Sequence, residues 1–106
     1  MIVQRYIDDP LLIEGLKFDL RIYVLVTGAG QFDAFVCREG MARFCTQPYE
    51  APKKENYKDF FRHLTNYSIN KHSEEYKESY EENGQMSDPN QNTKRTLTSC
   101  LASLAA

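Results

Sequence analysis

Three charged residues of alternating sign, Lys17, Asp19 and Arg21, occupy every second position in the first half of the sequence. In a β-strand this spacing places the side chains in one row on one face, with neighbours about 6–7 Å apart. Two cations beside an acid suit a polyphosphate, while the acid can bind a sugar hydroxyl or a metal ion. The same row can be a solvent face whose charges pair across strands. The residues alone leave both interpretations open.

A second polar group, residues 62–70 with the sequence RHLTNYSIN, combines a histidine with hydroxyl and amide side chains. Threonine and asparagine in such a run often hydrogen-bond the backbone of a turn. The same side chains can line a polar ligand site, and composition does not separate the two. His63 and His72 have no cysteine pair to complete a zinc site, so none is predicted.

The elements that must position these residues are predicted from hydrophobic periodicity. Apolar residues alternate along residues 17–27, which is typical of a half-buried strand. Residues 32–37 and 41–46 are predicted to be further strands, and glycine-containing turns between them favour an antiparallel meander. A short strand is predicted at residues 2–7. Together these segments predict an antiparallel sheet in the first half of the chain.

The second half is predicted to be less regular. Residues 57–62 are predicted to form a helical turn, and residues 63–71 have no clear period. Residues 73–92 are strongly acidic, so we expect a solvated, mobile loop there. An amphipathic helix is predicted near the end from one apolar face. That face consists of Leu97, Cys100, Leu101 and Leu104.

Composition argues against several classes of function. The chain has 106 residues and a formal net charge of −2, so no global charge attracts nucleic acid or an anionic membrane. No apolar run approaches the roughly 18 residues of a membrane span, and no signal peptide is recognised. We therefore expect a cytoplasmic protein with no nucleic-acid or membrane partner. The few short elements make a thin core, which favours a piece of a larger domain.

Four segments, residues 3–27, 38–49, 63–71 and 94–97, together resemble the tubulin tyrosine ligase-like family. They contain KFDLR, YVLV, ARF and HLTN in order, and the resemblance covers most of the chain. HLTNYSINK is similar to the branch that builds glutamate side chains. The resemblance implies an α/β (α+β) ATP-grasp fold, of which residues 1–106 are a part. This part would hold antiparallel strands and a C-terminal amphipathic helix opened by residues 94–97.

The resemblance also implies two adjacent sites. An ATP site would combine a hinge for adenine, a charged strand for ribose and phosphates, and a polar loop. Its residues are Gln4, Arg5, Tyr6, Ile7, Lys17, Phe18, Asp19, Arg21, His63, Leu64, Thr65 and Asn66. Asp19 matches a position near the ribose, and Arg21 matches one near the phosphates. The pocket for the incoming amino acid would be lined by Arg43, Tyr67, Ser68 and Lys94.

The implied activity is ATP-dependent addition of glutamate to glutamate side chains of tubulin tails, which is tubulin polyglutamylation. A γ-carboxyl group takes the γ-phosphoryl group of ATP, and the amine of a free amino acid then displaces phosphate. The implied cofactors are ATP and Mg²⁺, and the partners are free glutamate and the acidic tails of tubulin or microtubules. The implied location is the cytoplasm and cytoskeleton, including the cilium or basal body.

Other readings stay open. The ligase can be a glycylase, or it can act on another acidic protein. The family's glycine-rich phosphate loop and magnesium-binding acids find no match in this sequence. We therefore expect no metal ligand within the segment and no activity from the isolated chain. A truncated, inactive module that binds microtubules is a further alternative, and a generic small β-rich binding domain is the last.

Overall fold

The computed structural model describes residues 1–78, 88 and 91–106. Its strands are β1 (Leu12–Ile13), β2 (Leu16–Arg21), β3 (Val24–Thr27), β4 (Asp33–Val36), β5 (Met41–Phe44) and β6 (Lys94–Thr96). Its helices are α1 (Phe60–His63), α2 (Tyr67–Asn70) and α3 (Leu97–Ala105).

Four strands form one antiparallel sheet in the order β1-β2-β5-β6, while β3 and β4 form a separate two-stranded ribbon. The central pair, β2 and β5, aligns Phe18 with Phe44 and Asp19 with Arg43. On the far side of β5, β6 aligns Lys94 with Arg43. Together with α3, this sheet confirms the predicted mixed fold class of antiparallel strands and a C-terminal helix.

The single strand predicted at residues 17–27 is divided between the two sheets. β2 ends opposite Met41, and β3 begins opposite Val36, so residues 22–23 face the longer segment 37–40. The extra residues on one side interrupt the ladder, as a bulge does. The prediction of a simple meander is also wrong, because β5 pairs directly with β2 and β4 pairs only with β3.

Gly40 is required where the chain returns from the ribbon to the sheet. A Cβ atom at this position would lie 2.5 Å from the carbonyl oxygen of Arg21, which is closer than side-chain atoms approach backbone. The backbone of Gly40 also accepts a hydrogen bond from the Leu97 N–H group at 3.0 Å. A side chain here would therefore push apart β2, β5 and the start of α3.

The core lies on one face of the four-stranded sheet. The rings of Phe18 and Phe44 stack with their centroids 5.4 Å apart. Because side chains alternate along a strand, Lys17, Asp19 and Arg21 lie on the opposite face of β2. The core cluster consists of Ile13, Ala42, Phe44 and Cys100, with Leu16 and Phe18 packed against it.

Arg95 is a buried cation on the core face of β6. Its guanidinium carbon lies 4.1 Å from the centre of the Phe44 ring. Its NH1 and NH2 groups donate to both carboxylate oxygens of Glu14, at 3.1 and 3.0 Å, and its Nε donates to the Asn92 carbonyl at 3.1 Å. Glu14 has a positive φ of 54° in the turn between β1 and β2. Arg95 therefore fixes this turn against β6.

Residues 2–7 do not form the predicted strand. Among the residues that the structure describes, no strand pairs with them. Ile2 and Val3 are 86% and 84% exposed, and Ile7 is 70% exposed. Residues 2–7 are rich in β-branched and aromatic side chains, but a strand also needs a hydrogen-bonded neighbour.

The predicted helices begin later than expected. α1 begins at Phe60, although residues 57–62 were predicted, and α2 lies in a segment for which no period was visible. Lys94 belongs to β6, because it pairs with β5, and the final helix begins only at Leu97. The Thr96 hydroxyl accepts a hydrogen bond from the Ser99 N–H group at 3.1 Å, which caps the helix there.

The loop predicted at residues 73–92 lies largely outside the described residues, which omit 79–87 and 89–90. Its described ends are joined beside β6. The Lys77 N–H group donates to the Thr93 hydroxyl at 3.0 Å, and the Thr93 N–H group donates to the Lys77 carbonyl at 3.1 Å. The mobility of the loop stays a prediction.

Candidate functional site

A row of charged side chains crosses the face of the sheet opposite the core. Asp19, Arg43 and Lys94 are successive partners across β2, β5 and β6. Directly opposed residues share a face, so these three side chains project to the same side. Lys17 and Arg21 join them by alternation along β2. We call these five residues the charged face; it brings together residues that were predicted separately for ATP and for the amino acid.

Asp19 and Arg43 form a bidentate ion pair at the centre of the charged face. Arg43 Nε donates to Asp19 Oδ1 at 2.9 Å, and Arg43 NH2 donates to Asp19 Oδ2. The side chains are 39% and 27% exposed, respectively, so the pair lies at the surface of the face. The hydrogen bonds that Arg43 donates to Asp19 raise the pKa of Arg43, and the guanidinium group stays charged.

At the β6 end of this row, Lys94 contacts α2. Its ammonium nitrogen lies 3.6 Å from the centre of the Tyr67 ring, a cation–π contact. Lys71 lies over the same ring at 5.6 Å. Ser68 is the next residue of α2 and is exposed. Three of the four residues predicted for the amino acid, Arg43, Lys94 and Tyr67, are thus connected through neighbouring contacts.

A hollow of about 620 Å³ opens beside β2. Most of the residues predicted for ATP line it, including all four from the predicted hinge. The lining consists of Gln4, Arg5, Tyr6, Ile7, Asp9, Pro10, Leu11, Lys17, Phe18, Asp19 and Leu64. Apolar and charged residues therefore meet in one space, with Lys17 and Asp19 on the β2 side and Arg5 and Asp9 on the N-terminal segment. Arg21, His63, Thr65 and Asn66 are not among its lining residues.

Lys17 and Tyr6 form the floor of this hollow. The Lys17 ammonium donates to the His63 carbonyl at 2.9 Å and lies 4.2 Å from the centre of the Tyr6 ring. Burial lowers the pKa of Lys17, although Cys45 and Asp19 oppose this effect. Burial, followed by a hydrogen bond with the Tyr49 side chain, raises the pKa of Tyr6. Both side chains are held in place by residues outside the N-terminal segment.

His63 is buried and uses both ring nitrogens within the protein. Its Nε2 lies 3.0 Å from the Asn56 carbonyl oxygen, which can only accept, so Nε2 carries the proton. The Tyr6 hydroxyl then donates to His63 Nδ1, at 2.9 Å. His63 therefore positions Tyr6, and both of its ring nitrogens have partners within the protein.

Asn70, which the sequence grouped with the polar run at residues 62–70 but assigned to no site, organises this segment by hydrogen bonds. Its Nδ2 donates to the carbonyls of Leu64 at 2.7 Å and Asn66 at 3.0 Å. Its Oδ1 accepts from the backbone and the hydroxyl of Thr46, at 3.2 and 3.0 Å. Asn70 is 1% exposed. This segment is a hydrogen-bonded turn, and the only sequence signal for Asn70 was an amide in a polar run.

Three further residues predicted for ATP, Arg21, Thr65 and Asn66, do not line the hollow. Thr65 and Asn66 join α1 to α2 beside Leu64, and the Asn66 carbonyl accepts from the Ile69 and Asn70 N–H groups at 3.1 and 3.0 Å. Arg21 ends β2, and its guanidinium carbon lies 5.7 Å from the centre of the Tyr23 ring.

The described residues contain neither a metal cluster nor a membrane-spanning helix. In residues 1–78, 88 and 91–106, no group of three histidine, cysteine, aspartate or glutamate side chains is arranged to hold a metal ion. Within the same ranges, no helix has both the length and the apolar character needed to cross a membrane.

These features agree with a family-level match. A sequence model described as the Tubulin-tyrosine ligase family matches residues 1–103. The chain belongs to this family.

Individual relatives point to one branch of the family. Mouse tubulin polyglutamylase TTLL11 is 40% identical over 105 residues, which are 99% of this chain and 14% of that protein. Human tubulin polyglutamylase TTLL6 is 55% identical over 76 residues, covering 72% of this chain and 8% of that protein. Zebrafish tubulin polyglutamylase ttll6 is 54% identical over 76 residues, which cover 72% of this chain and 10% of that protein. The chain spans 14% or less of the length of these relatives.

Proposed function

We propose that the whole protein containing this chain is an ATP-dependent ligase that adds glutamate to glutamate side chains of tubulin tails. Family membership and the names of the similar relatives support this activity. The observation that carries the proposal is the row of Asp19, Arg43 and Lys94 beside the hollow. This row supports the proposal, because its cations would suit an amino-acid carboxylate and the neighbouring hollow has the volume of a small-molecule site.

The hollow is the proposed ATP site. Its volume of about 620 Å³ lies within the range of small-molecule sites, about 300–1,000 Å³. The backbone of residues 4–7 would offer hydrogen bonds to the base, with Ile7 and Leu64 beside its ring. Lys17 would neutralise phosphate charge, and Arg21, Thr65 and Asn66 would complete the site at its edge.

The other end of the charged face is the proposed amino-acid site. Arg43 and Lys94 would bind carboxylates of free glutamate, since Arg and Lys donors form strong charge-assisted hydrogen bonds with carboxylates. The hydroxyl groups of Tyr67 and Ser68 would add polar contacts. Holding the amine of free glutamate near the activated acceptor carboxylate would make the ligation step effectively intramolecular.

The ligase needs parts outside this segment. Mg²⁺ supplies charge neutralisation to the phosphates when it is bound, and we place its ligands elsewhere in the protein. We propose that residues 1–106 are one part of an ATP-grasp domain. The exposed β3–β4 ribbon supports this, because Leu25, Phe35 and Val36 are 59%, 58% and 66% exposed, and such large apolar side chains commonly contact another part of a protein.

The proposed partners are free glutamate and the acidic tails of tubulin, and no nucleic acid or membrane is needed for the reaction. The proposed location is on cytoplasmic microtubules, including those of the cilium or basal body. Both follow from the proposed acceptor.

Mass spectrometry of tubulin tails tests the proposed function. The whole protein is incubated with microtubules and MgATP, with glutamate or glycine supplied separately. We expect mass increments of glutamate units that require ATP. Increments of glycine alone would make the protein a glycylase. No increment with either amino acid, from a protein that binds ATP, would contradict tubulin ligation.

A further inference from the structure

Asp19 is engaged by Arg43 through both of its carboxylate oxygens. The two residues are direct partners across β2 and β5, and two donors of one guanidinium reach two oxygens of one carboxylate. This geometry fixes the plane of the guanidinium group as well as its position. A single ion contact would leave the group free to rotate.

The pair leaves one edge of Arg43 unused. A guanidinium group has five N–H donors, and Asp19 takes those of Nε and one of NH2. The remaining edge, formed by NH1 and NH2, can hold a second carboxylate with two parallel hydrogen bonds. In the described part of the chain, no residue accepts a hydrogen bond from that edge. Lys94, the neighbour of Arg43 on β6, adds a second cation on the same face.

We propose that Asp19 is a positioning residue of the amino-acid site, which holds the free edge of Arg43 toward the carboxylate of the incoming amino acid. This inference rests on the proposed ligase function. It gives Asp19 a role toward the second substrate in addition to its place in the lining of the proposed ATP site. The charged face then joins the two sites, because Asp19 lines the hollow and also orients Arg43.

A purely structural role does not account for this pair. Exposed or half-exposed ion pairs contribute little to stability, about 0–1 kcal/mol, and Asp19 and Arg43 are 39% and 27% exposed. The core on the other face of the sheet does not contain either side chain. Loss of Asp19 should therefore alter substrate binding much more than folding.

The test compares Asp19→Asn with the wild type in the whole protein, with tubulin as acceptor. Asparagine keeps the shape of aspartate but loses one charged acceptor. We expect the KM for glutamate to rise on the order of tenfold, which is a larger factor than the rise in the KM for ATP, since Asp19 also lines the hollow. The melting temperature should remain that of the wild type. Glu55→Gln, an exposed acid outside both sites, serves as the matched control and should leave both KM values unchanged.

A double-mutant cycle separates action through Arg43 from independent action. Arg43→Lys keeps a cation but cannot hold two carboxylates side by side. If Asp19 acts through Arg43, Asp19→Asn should add less than about twofold to the KM for glutamate in the Arg43→Lys background. Full additivity of the two substitutions would overturn the inference.

Two further outcomes are distinguishable. A rise in the KM for ATP with an unchanged KM for glutamate would return Asp19 to the nucleotide and overturn the inference alone. A wild-type protein that ligates no amino acid would contradict the proposed function, and the inference with it.

Discussion

The ammonium group of Lys17 lies 4.2 Å from the centre of the Tyr6 ring. This contact joins the N-terminal segment, which has no strand partner among the described residues, to the central strand of the sheet. The same ammonium group donates to the His63 carbonyl at 2.9 Å. One cation therefore connects three segments that surround the hollow, so the shape of the proposed ATP site depends on it.

Lys17→Met should weaken ATP binding by on the order of tenfold, because it removes a cation suited to phosphate and the tether of Tyr6. Titration of the whole protein with a fluorescent ATP analogue measures the dissociation constant. Lys58→Met is a matched control, since Lys58 also lies over a tyrosine ring, Tyr57 at 5.6 Å, away from the hollow. Equal affinities for the Lys17 variant and the control would contradict the placement of ATP in the hollow.

His63→Ala should loosen the N-terminal segment, because the Tyr6 hydroxyl loses its acceptor and the Asn56 carbonyl loses its donor. The free energy of local opening should fall by about 1–3 kcal/mol. Hydrogen exchange of peptides covering residues 4–8 and 56–64 in the whole protein reports this opening. The exposed His72 provides the control, and His72→Ala should change opening by less than about 0.5 kcal/mol. Similar exchange in the two variants would show that His63 does not position Tyr6.

The Arg95–Glu14 pair should respond asymmetrically to substitution. Glu14→Ala leaves a guanidinium group that is only 2% exposed without its carboxylate, whereas Glu14 itself is 55% exposed. We expect Glu14→Ala to lower the free energy of local opening by about 1–3 kcal/mol, since the half-exposed partner reduces the usual cost of breaking a buried pair.

Arg95→Met should cost less than Glu14→Ala, because methionine removes the buried charge and retains a flexible side chain over Phe44. Hydrogen exchange of the β1–β2 turn measures both variants. If Arg95→Met lowers the free energy of local opening more than Glu14→Ala does, the hydrogen bond from Arg95 to the Asn92 carbonyl contributes more than the ion pair.

Glu39 should make the start of α3 sensitive to acid. The Gly40 N–H group, followed by the Thr98 hydroxyl, lowers the pKa of Glu39 through hydrogen bonds to its carboxylate. A lowered folded pKa contributes stability above the ordinary pKa of about 4.3, and this contribution is lost as pH falls through the folded value. Exchange of the 96–101 peptide, corrected for intrinsic rates, should accelerate between about pH 6 and about pH 3. Glu39→Gln should reduce the pH dependence of exchange in this peptide. If the variant keeps the pH dependence of the wild type, another acid is responsible.

The two faces of β2 could be predicted from sequence, because a period of two is visible without knowledge of any partner. Phe18 packs in the core, and Lys17 and Asp19 lie opposite, as alternation requires. The partner of β2 could not be predicted in the same way. Pairing with β5 depends on the bulge at residues 37–40, and nothing local marks how many residues the returning strand will insert.

Arg43 and Lys94 are neighbours because β5 pairs with β6, and hydrophobic periodicity does not predict which strands pair. The two residues are far apart in sequence and become neighbours only through β5 and β6. The family resemblance placed them together, whereas spacing alone did not. A hydrogen-bonded turn involving asparagine was one of the two interpretations of residues 62–70, but the contact of Asn70 with Thr46 could not be predicted, because Thr46 lies on another segment.

The central claim is that Arg43 and Lys94, at one end of the charged face, bind the incoming amino acid during ligation. Its most direct test is mass spectrometry of tubulin tails after reaction with the whole protein carrying Arg43→Ala, at saturating ATP and limiting glutamate. The account predicts that glutamate increments fall at least about tenfold, with ATP affinity unchanged and with Glu55→Gln at the wild-type level. Wild-type increments from Arg43→Ala at limiting glutamate would contradict it.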